Sequence, residues 1–341
     1  MRIVLLHPPS SRHVAELTAT SLAARGHDVS PVVPVEAAAE AATAARRVVA
    51  HSEDLPHAGD SGRPDVVLAD GWEAGVAAHL AARDLEVPVA LRLARPGRRP
   101  GTDQDRMETA LVRSSDLVLV PSVGELDRLV GRGVPRARLR VLPEAVDTTR
   151  FTDDEPGGDG QSRADGSADS PPDASSDPTR GGTHRVGVAT PSDGSVRTGL
   201  LTGLRSMPSC DAVAVPTPDQ WDETTPRLLR SLDLLVVADD TEAEVTTTLS
   251  AMACGVPVVA TDVGVLADAV ADDVTGLLVG PGGMAPAIRS LLPDRMRHES
   301  FGLSAVDRVR ARFAGDVVAA TLEQHLRSLV PTIGELAGAA S

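Results

Sequence analysis

No lysine occurs in this chain: all 33 members of the Lys+Arg class are arginine, and tyrosine is absent as well. A phosphate-binding P-loop needs its lysine on the β- and γ-phosphates, a protein kinase needs its strand lysine, and a pyridoxal enzyme needs a Schiff-base lysine. Those chemistries are excluded. Aromatic side chains are reduced to Trp72, Phe151, Trp221, Phe301 and Phe313, too few for the stacking platforms of single-strand nucleic-acid binders. A net charge of −15 repels phosphate backbones, so no nucleic-acid partner is expected. The two cysteines, Cys210 and Cys254, cannot form a four-cysteine zinc site and are not spaced as a C-x-x-C pair, so no metal is expected and both thiols read as reduced. Long apolar runs are missing too. The opening stretch Ile3 to Leu6 is stopped by Pro8 and Pro9, too short for a signal-peptide core, and no run approaches the roughly 18 residues of a membrane span. The expected location is the cytoplasm.

What is present is an ordinary globular composition, 42% hydrophobic and 24% charged over 341 residues, long enough for about two domains at roughly 150 residues each. Residues 153 to 184 contain no large apolar side chain and are dominated by Gly, Ser, Asp and Pro. Burial cannot offset the ordering entropy of such a segment, so it reads as a disordered acidic linker. Eight acids and two arginines place a net −6 of the chain's −15 in it.

On either side of that segment, short apolar runs alternate with helical patterns. RIVLLH (2 to 7), DVSPVVP (28 to 34), DVVLADG (65 to 71), PVALRLA (88 to 94), DLVLVPS (116 to 122) and LRVLPEAV (139 to 146) read as strands, with helices over 15 to 26, 35 to 50, 72 to 85, 103 to 114 and 124 to 133. The pattern returns with the strands RVGVATP (185 to 191), CDAVAVP (210 to 216), DLLVVADD (233 to 240) and PVVATD (257 to 262), separated by helices, followed by the short piece GLLVG (276 to 280) and helices out to about 330. Continuously apolar strands alternating with helices imply an α/β fold with parallel sheets covered on both faces. Two doubly wound, Rossmann-like domains are expected, residues 1 to 152 and 185 to 330, with 331 to 341 as a tail and ligands at the carboxyl ends of the strands.

Two blocks carry a family resemblance. LSAMACGVPVVATDVGVLADAVADDVTGLLV (249 to 279) and RLVGRGVPRARLRVLPEAVDTTRF (128 to 151) resemble the donor-site signature and the interdomain connector of glycosyltransferase family 4. These are retaining, nucleotide-sugar-dependent transferases of the GT-B fold. The resemblance runs over nearly the whole chain outside the linker, although the second domain reads as one strand and helix short. It implies a nucleotide-sugar as co-substrate, no resident cofactor and no metal.

The resemblance also assigns roles to positions. Of the family's two donor-site glutamates, the first corresponds to Glu242, the candidate catalytic and donor-binding carboxylate, and the second to Ser250. Between them the family's Gly-Phe-Gly is replaced by Ala243-Glu244-Val245. Thr241 with Glu244 three residues on is a capping-box pattern that would satisfy the helix-start amides internally. The stretch 186 to 194 aligns with the family's Val-Gly-Arg-x-x-x-x-Lys-Gly, so that Gly187 is kept while Val188 and Asp193 stand where the diphosphate-neutralising Arg and Lys would be. Arg197 is the nearest substitute cation, and Gly255 completes the donor-side candidates. In the first domain, Leu68 and Asp70 replace two histidines, Ala94 replaces an active-site histidine, and Pro143-Glu144-Ala145 replaces Pro-Asn-Gly. The acceptor-side candidates are His7, Asp70, Arg92 and Arg95; Arg98, Arg99 and Arg106 extend the positive cluster, which would suit an anionic acceptor or a peripheral contact with a lipid surface. Two functions follow as expectations. The first is sugar transfer to an unidentified acceptor; the alternative is a catalytically impaired scaffold that binds another protein.

Overall fold

The computed structural model describes residues 1–34, 43, 63–93, 101–154, 183–189, 195–238 and 241–330. The helix expected over 35 to 50 and all but the ends of the acidic linker lie outside these residues. Among the described residues no helix is long and apolar enough to cross a membrane. The chain divides into two compact units, Met1–Ala145 with the segment from Gly315 on, and Val146–Ala314.

The first unit is built on six parallel strands in the order β2-β1-β3-β4-β5-β6. They are β1 (Arg2–His7), β2 (Asp28–Pro34), β3 (Val66–Asp70), β4 (Val89–Arg92), β5 (Leu117–Val120) and β6 (Leu139–Val141). Every residue of β3, β4 and β5 is buried, which is why their sequences show no polar alternation. One face packs against helices α2 (Gly71–Leu85) and α3 (Asp103–Ser114), through Ala74, Ala77, Ala78, Leu91 and Leu111. The other face packs against α1 (Arg12–Ala24). Helix α1 stops where its glycine reading puts it: Gly26 takes φ +83°, and the His27 amide reaches back to the Leu22 carbonyl at 3.2 Å, as a left-handed helix terminus requires. A fourth helix, α4 (Val123–Gly131), precedes β6.

The second unit has five parallel strands in the order β11-β10-β9-β7-β8. They are β7 (His184–Ala189), β8 (Cys210–Ala214), β9 (Leu234–Val237), β10 (Val258–Thr261) and β11 (Gly276–Val279). Counted within the unit this is the 2-1-3-4-5 winding that the first five strands of the first unit also follow. Helix α5 (Ser195–Arg205) follows β7, and a six-residue helix, α6 (Thr225–Arg230), is the only helix other than a 3-10 turn between β8 and β9, matching the short connection read from the sequence. Then come α7 (Glu242–Ala253), the unanticipated short α8 (Leu266–Ala269), α9 (Met284–Leu291) and α10 (Arg295–Arg312).

The domain limits read from the sequence differ from these units at both ends. Residues 146 to 152 belong to the second unit: the Val146 amide donates to the Phe313 carbonyl (2.8 Å), and the Phe151 ring meets Trp221 edge-on at 5.0 Å. Helix α11 (Gly315–Arg327) belongs to the first unit, not the second. Its residues Val318, Ala319, Leu322 and Leu326 join the cluster of Ile3, Leu5 and Leu22. At Gly315 an added Cβ would come within 2.9 Å of Leu17 Cδ1, so α11 approaches α1 closely there and a larger residue would make the Leu17 side chain move. Local periodicity identifies α11 as a helix but cannot say which sheet it covers.

A polar clasp fastens α11. Glu323 accepts from Arg25 Nε at 2.5 Å, and its other carboxylate oxygen lies 3.2 Å from His27 Nε2 and 2.5 Å from Arg327. The Arg25 bond above all holds the Glu323 carboxyl below the ordinary carboxylate range, with burial pulling the other way. A carboxyl depressed in the folded state stabilises above the unfolded-state value of about 4.3, and that contribution fades as pH falls below it. Urea unfolding at pH 7 and near pH 3.5 should therefore show the wild type losing more stability on acidification than Glu323→Gln. Equal losses would refute the clasp.

Candidate functional site

In both sheets the winding reverses direction between adjacent strands, and the crevice beyond the carboxyl ends at that reversal is where doubly wound folds take their ligands. In the second unit the reversal lies between β7 and β9. The residues after β9 lead straight into α7, whose first residue is Glu242. The sequence candidate therefore begins the helix that faces the reversal, although its side chain lies outside the described part of the structure.

The start of α7 is closed by its own chain. Thr241 Oγ1 accepts from the Glu244 amide (3.4 Å), and the Glu244 carboxylate accepts from the Thr241 amide (3.0 Å) and hydroxyl (2.8 Å). This is the capping box expected from the sequence: the Thr241 hydroxyl takes the Glu244 amide of the first turn, and the Glu244 carboxylate places an internal anion on the N-cap amide, at the helix end that would otherwise attract a ligand's phosphate. Ser250 lies two turns further on. It is 0% exposed, and its Oγ has no hydrogen-bond partner among the described residues.

The donor-side glycines have packing roles. An added Cβ at Gly187, within β7, would come 2.5 Å from Leu232 Cδ1 and 3.0 Å from Val215 Cγ2. Gly255 terminates α7 with φ +76°, while the Val256 amide returns to the Ala251 carbonyl at 3.0 Å. The backbone of α10 then crosses close above: a Cβ on Gly302 would come 2.4 Å from the Gly255 carbonyl oxygen. The AMACG segment thus has a structural reason for its residues. Burial pushes the neighbouring Cys254 thiol up to about 12, so it is no nucleophile.

Arg185 sits at the start of β7, the amino end, where its Nη1 donates to Ser231 Oγ at 3.0 Å. Arg197 lies in α5 with its side chain outside the described residues, as does Asp193 altogether.

In the first unit the reversal lies between β1 and β3, and three of the four acceptor-side candidates meet there; Arg95 lies outside the described residues. His7 ends β1 and is buried, its Nδ1–H donating to the Pro8 carbonyl at 2.7 Å. Asp70 ends β3 and is the register partner of Arg92 at the end of β4. The Arg92 guanidinium hydrogen-bonds to Glu144, in the connector after β6, and its Nη1 stands 3.7 Å from Asp70 Oδ2. All three are buried, at 6%, 8% and 3% exposure for Asp70, Arg92 and Glu144. Asp70 and Arg92 form the polar end of a narrow recess otherwise lined mainly by Leu5, Leu68, Leu142 and Leu322. Glu144 is the residue that motif reading passed over as a site. Its signal was an acid where the resemblance expects Asn, appearing together with an arginine on a buried strand. Among the described residues no group of three or more His, Cys, Asp or Glu is placed to hold a metal ion.

Two outcomes follow for α7. Thr241→Ala should cost about 1 kcal/mol in urea unfolding, the usual worth of a helix cap. Ser250→Ala should be neutral or slightly stabilising, since it removes a buried hydroxyl that makes no bond; a loss above about 2 kcal/mol would reveal a hidden partner for that oxygen.

Comparison with known proteins agrees with this architecture. Residues 10–145 match the family described as glycosyl transferase 4-like domain, and residues 215–306 match glycosyl transferases group 1. A D-inositol 3-phosphate glycosyltransferase from Actinosynnema mirum is 31% identical over 261 residues, covering 64% of this chain and 61% of that protein. One from Catenulispora acidiphila is 41% identical over 104 residues, covering 29% of this chain and 24% of its own length. The chain thus spans less than two thirds of the length of these relatives. Among solved structures, the Anabaena Alr3699/HepE protein in complex with UDP superposes with a TM-score of 0.68 at 16% identity, over 96% of this chain and 100% of that one. This chain belongs to the glycosyltransferases of the family 4 type, with the GT-B fold.

Proposed function

We propose that the protein transfers a sugar from a nucleotide-sugar donor to an acceptor hydroxyl, with retention at the anomeric carbon. The observation that carries this reading is the position of Glu242 as first residue of α7, directly after β9 at the sheet reversal, inside the segment matched by the group 1 family. The neighbouring fold from Anabaena, solved with UDP, supports a nucleotide-sugar as the donor. In this reading Glu242 holds a hydroxyl of the donor sugar, Arg197 is the candidate diphosphate cation, and the first unit receives the acceptor beside His7, Asp70, Arg92 and Arg95. The acidic stretch 153 to 184 serves as a linker, and the protein works in the cytoplasm.

A second reading has its own support. The capping box occupies the Glu244 amide in the first turn of α7, Ser250 replaces the second carboxylate in a fully buried position, and Arg185 is bonded to Ser231 at the other end of β7. On donor chemistry these favour a scaffold that keeps the transferase fold and binds another protein. Isothermal titration of the full chain with UDP-, GDP- and ADP-glucose decides between them. The transferase reading expects binding tighter than about 1 mM, which is about 4 kcal/mol, for at least one donor, and its loss in Glu242→Ala. No binding of any donor would leave the scaffold.

A further inference from the structure

The carboxyl ends of β1, β3 and β4 hold an excess of buried negative charge with one oxygen unused. The Arg92 guanidinium stands beside Asp70 and Glu144 and hydrogen-bonds to Glu144. Asp70 Oδ2 lies 3.7 Å from the Arg92 guanidinium, beyond hydrogen-bond distance, and has no hydrogen-bond partner among the described residues although its side chain is only 8% exposed. Asp70 also occupies the N-cap position of α2 without capping it, so its carboxylate is turned away from the local amides that would satisfy it. A buried acceptor without a donor is costly, and a group that supplies an O–H or N–H at that point recovers the cost. Asp70 is one of the two charged residues that line the recess described above.

Resting on the transferase reading, we infer that Asp70 is a binding residue for a hydroxyl of an uncharged polyol acceptor, and that the Asp70–Arg92–Glu144 group discriminates against phosphorylated acceptors. Among the described residues, two carboxylates against one guanidinium leave a net charge of −1 at these strand ends, withdrawn from water, where like charges repel more strongly than at the surface. A phosphate brought to these strand ends meets an arginine whose charge is already compensated by Glu144. A hydroxyl meets an acceptor oxygen in place and needs no counter-charge. Arg92 has a positioning role: pinned by Glu144, it fixes the electrostatic surroundings of Asp70 without surrendering a bond to the ligand. The Actinosynnema and Catenulispora relatives are named for inositol 3-phosphate, so this chain is inferred to differ from them in acceptor charge.

The test uses the full chain, with myo-inositol and inositol 3-phosphate as probes in isothermal titration, each with and without whichever nucleotide donor binds. The expected result is binding of myo-inositol at least tenfold tighter than inositol 3-phosphate. Asp70→Asn, which keeps the shape and one acceptor oxygen but removes the charge, should shrink that ratio at least threefold while its thermal unfolding stays cooperative. Asp70→Ala should weaken myo-inositol about tenfold. Glu144→Gln, which removes the carboxylate charge paired with Arg92, should strengthen inositol 3-phosphate relative to myo-inositol; this variant decides the matter should either Asp70 variant fail to fold. Preference of the wild type for the phosphate, as would arise if Arg95, Arg98 and Arg99 take it, overturns the inference, and so does binding of neither probe while a donor binds. Absence of donor binding instead strikes the transferase reading itself, and the two failures are told apart by the donor titration alone.

Discussion

Parallel strands buried on both faces constrain everything else in this molecule. Once a sheet is covered by helices on each side, polar chemistry has no place along the strands and collects where they end. β3, β4, β5 and β9 are buried throughout, and the charged residues that matter stand at their termini: Asp70, Arg92, and Glu242 a few residues beyond β9. The same winding order in both units places a reversal in each, so the two candidate regions are set by topology before any side chain is chosen.

Within that frame the two reversals differ in character. At the second unit the chain supplies its own anion to the helix start, through Thr241 and Glu244, where a phosphate-binding helix would leave its amides open. The absence of lysine acquires a location here. A general preference for arginine over lysine would put arginine at position 193, yet an aspartate stands there and a valine at 188. At the first unit, charge has been gained: Asp70, Arg92 and Glu144 form a buried group whose members lie up to 74 residues apart in sequence. Buried ion groups contribute little net stability against apolar packing of equal volume.

Much of the architecture was legible in the chain itself. The strands other than the short β11 follow from their apolar runs, the end of α1 from Gly26, the end of α7 from Gly255, and the capping box from the Thr241 and Glu244 spacing. Each of these is a short-range signal, in which residues within about four positions satisfy one another's backbone groups. Gly187 and Gly255 have structural roles, in close packing within β7 and in the termination of α7.

Other features were decided only in three dimensions. Nothing local says that α11, more than 160 residues after β6, returns to cover the first sheet beside α1, or that Val146 to Thr152 packs with the second. Nothing local pairs Arg92 with Glu144, or seals Ser250 at 0% exposure. Periodicity tells which face of an element is apolar, and it is silent on which partner will cover that face. The sequence by itself determined the elements, their caps and the family; the tertiary structure decided which unit each segment joins and which charges meet, because those depend on contacts between residues that no local pattern connects.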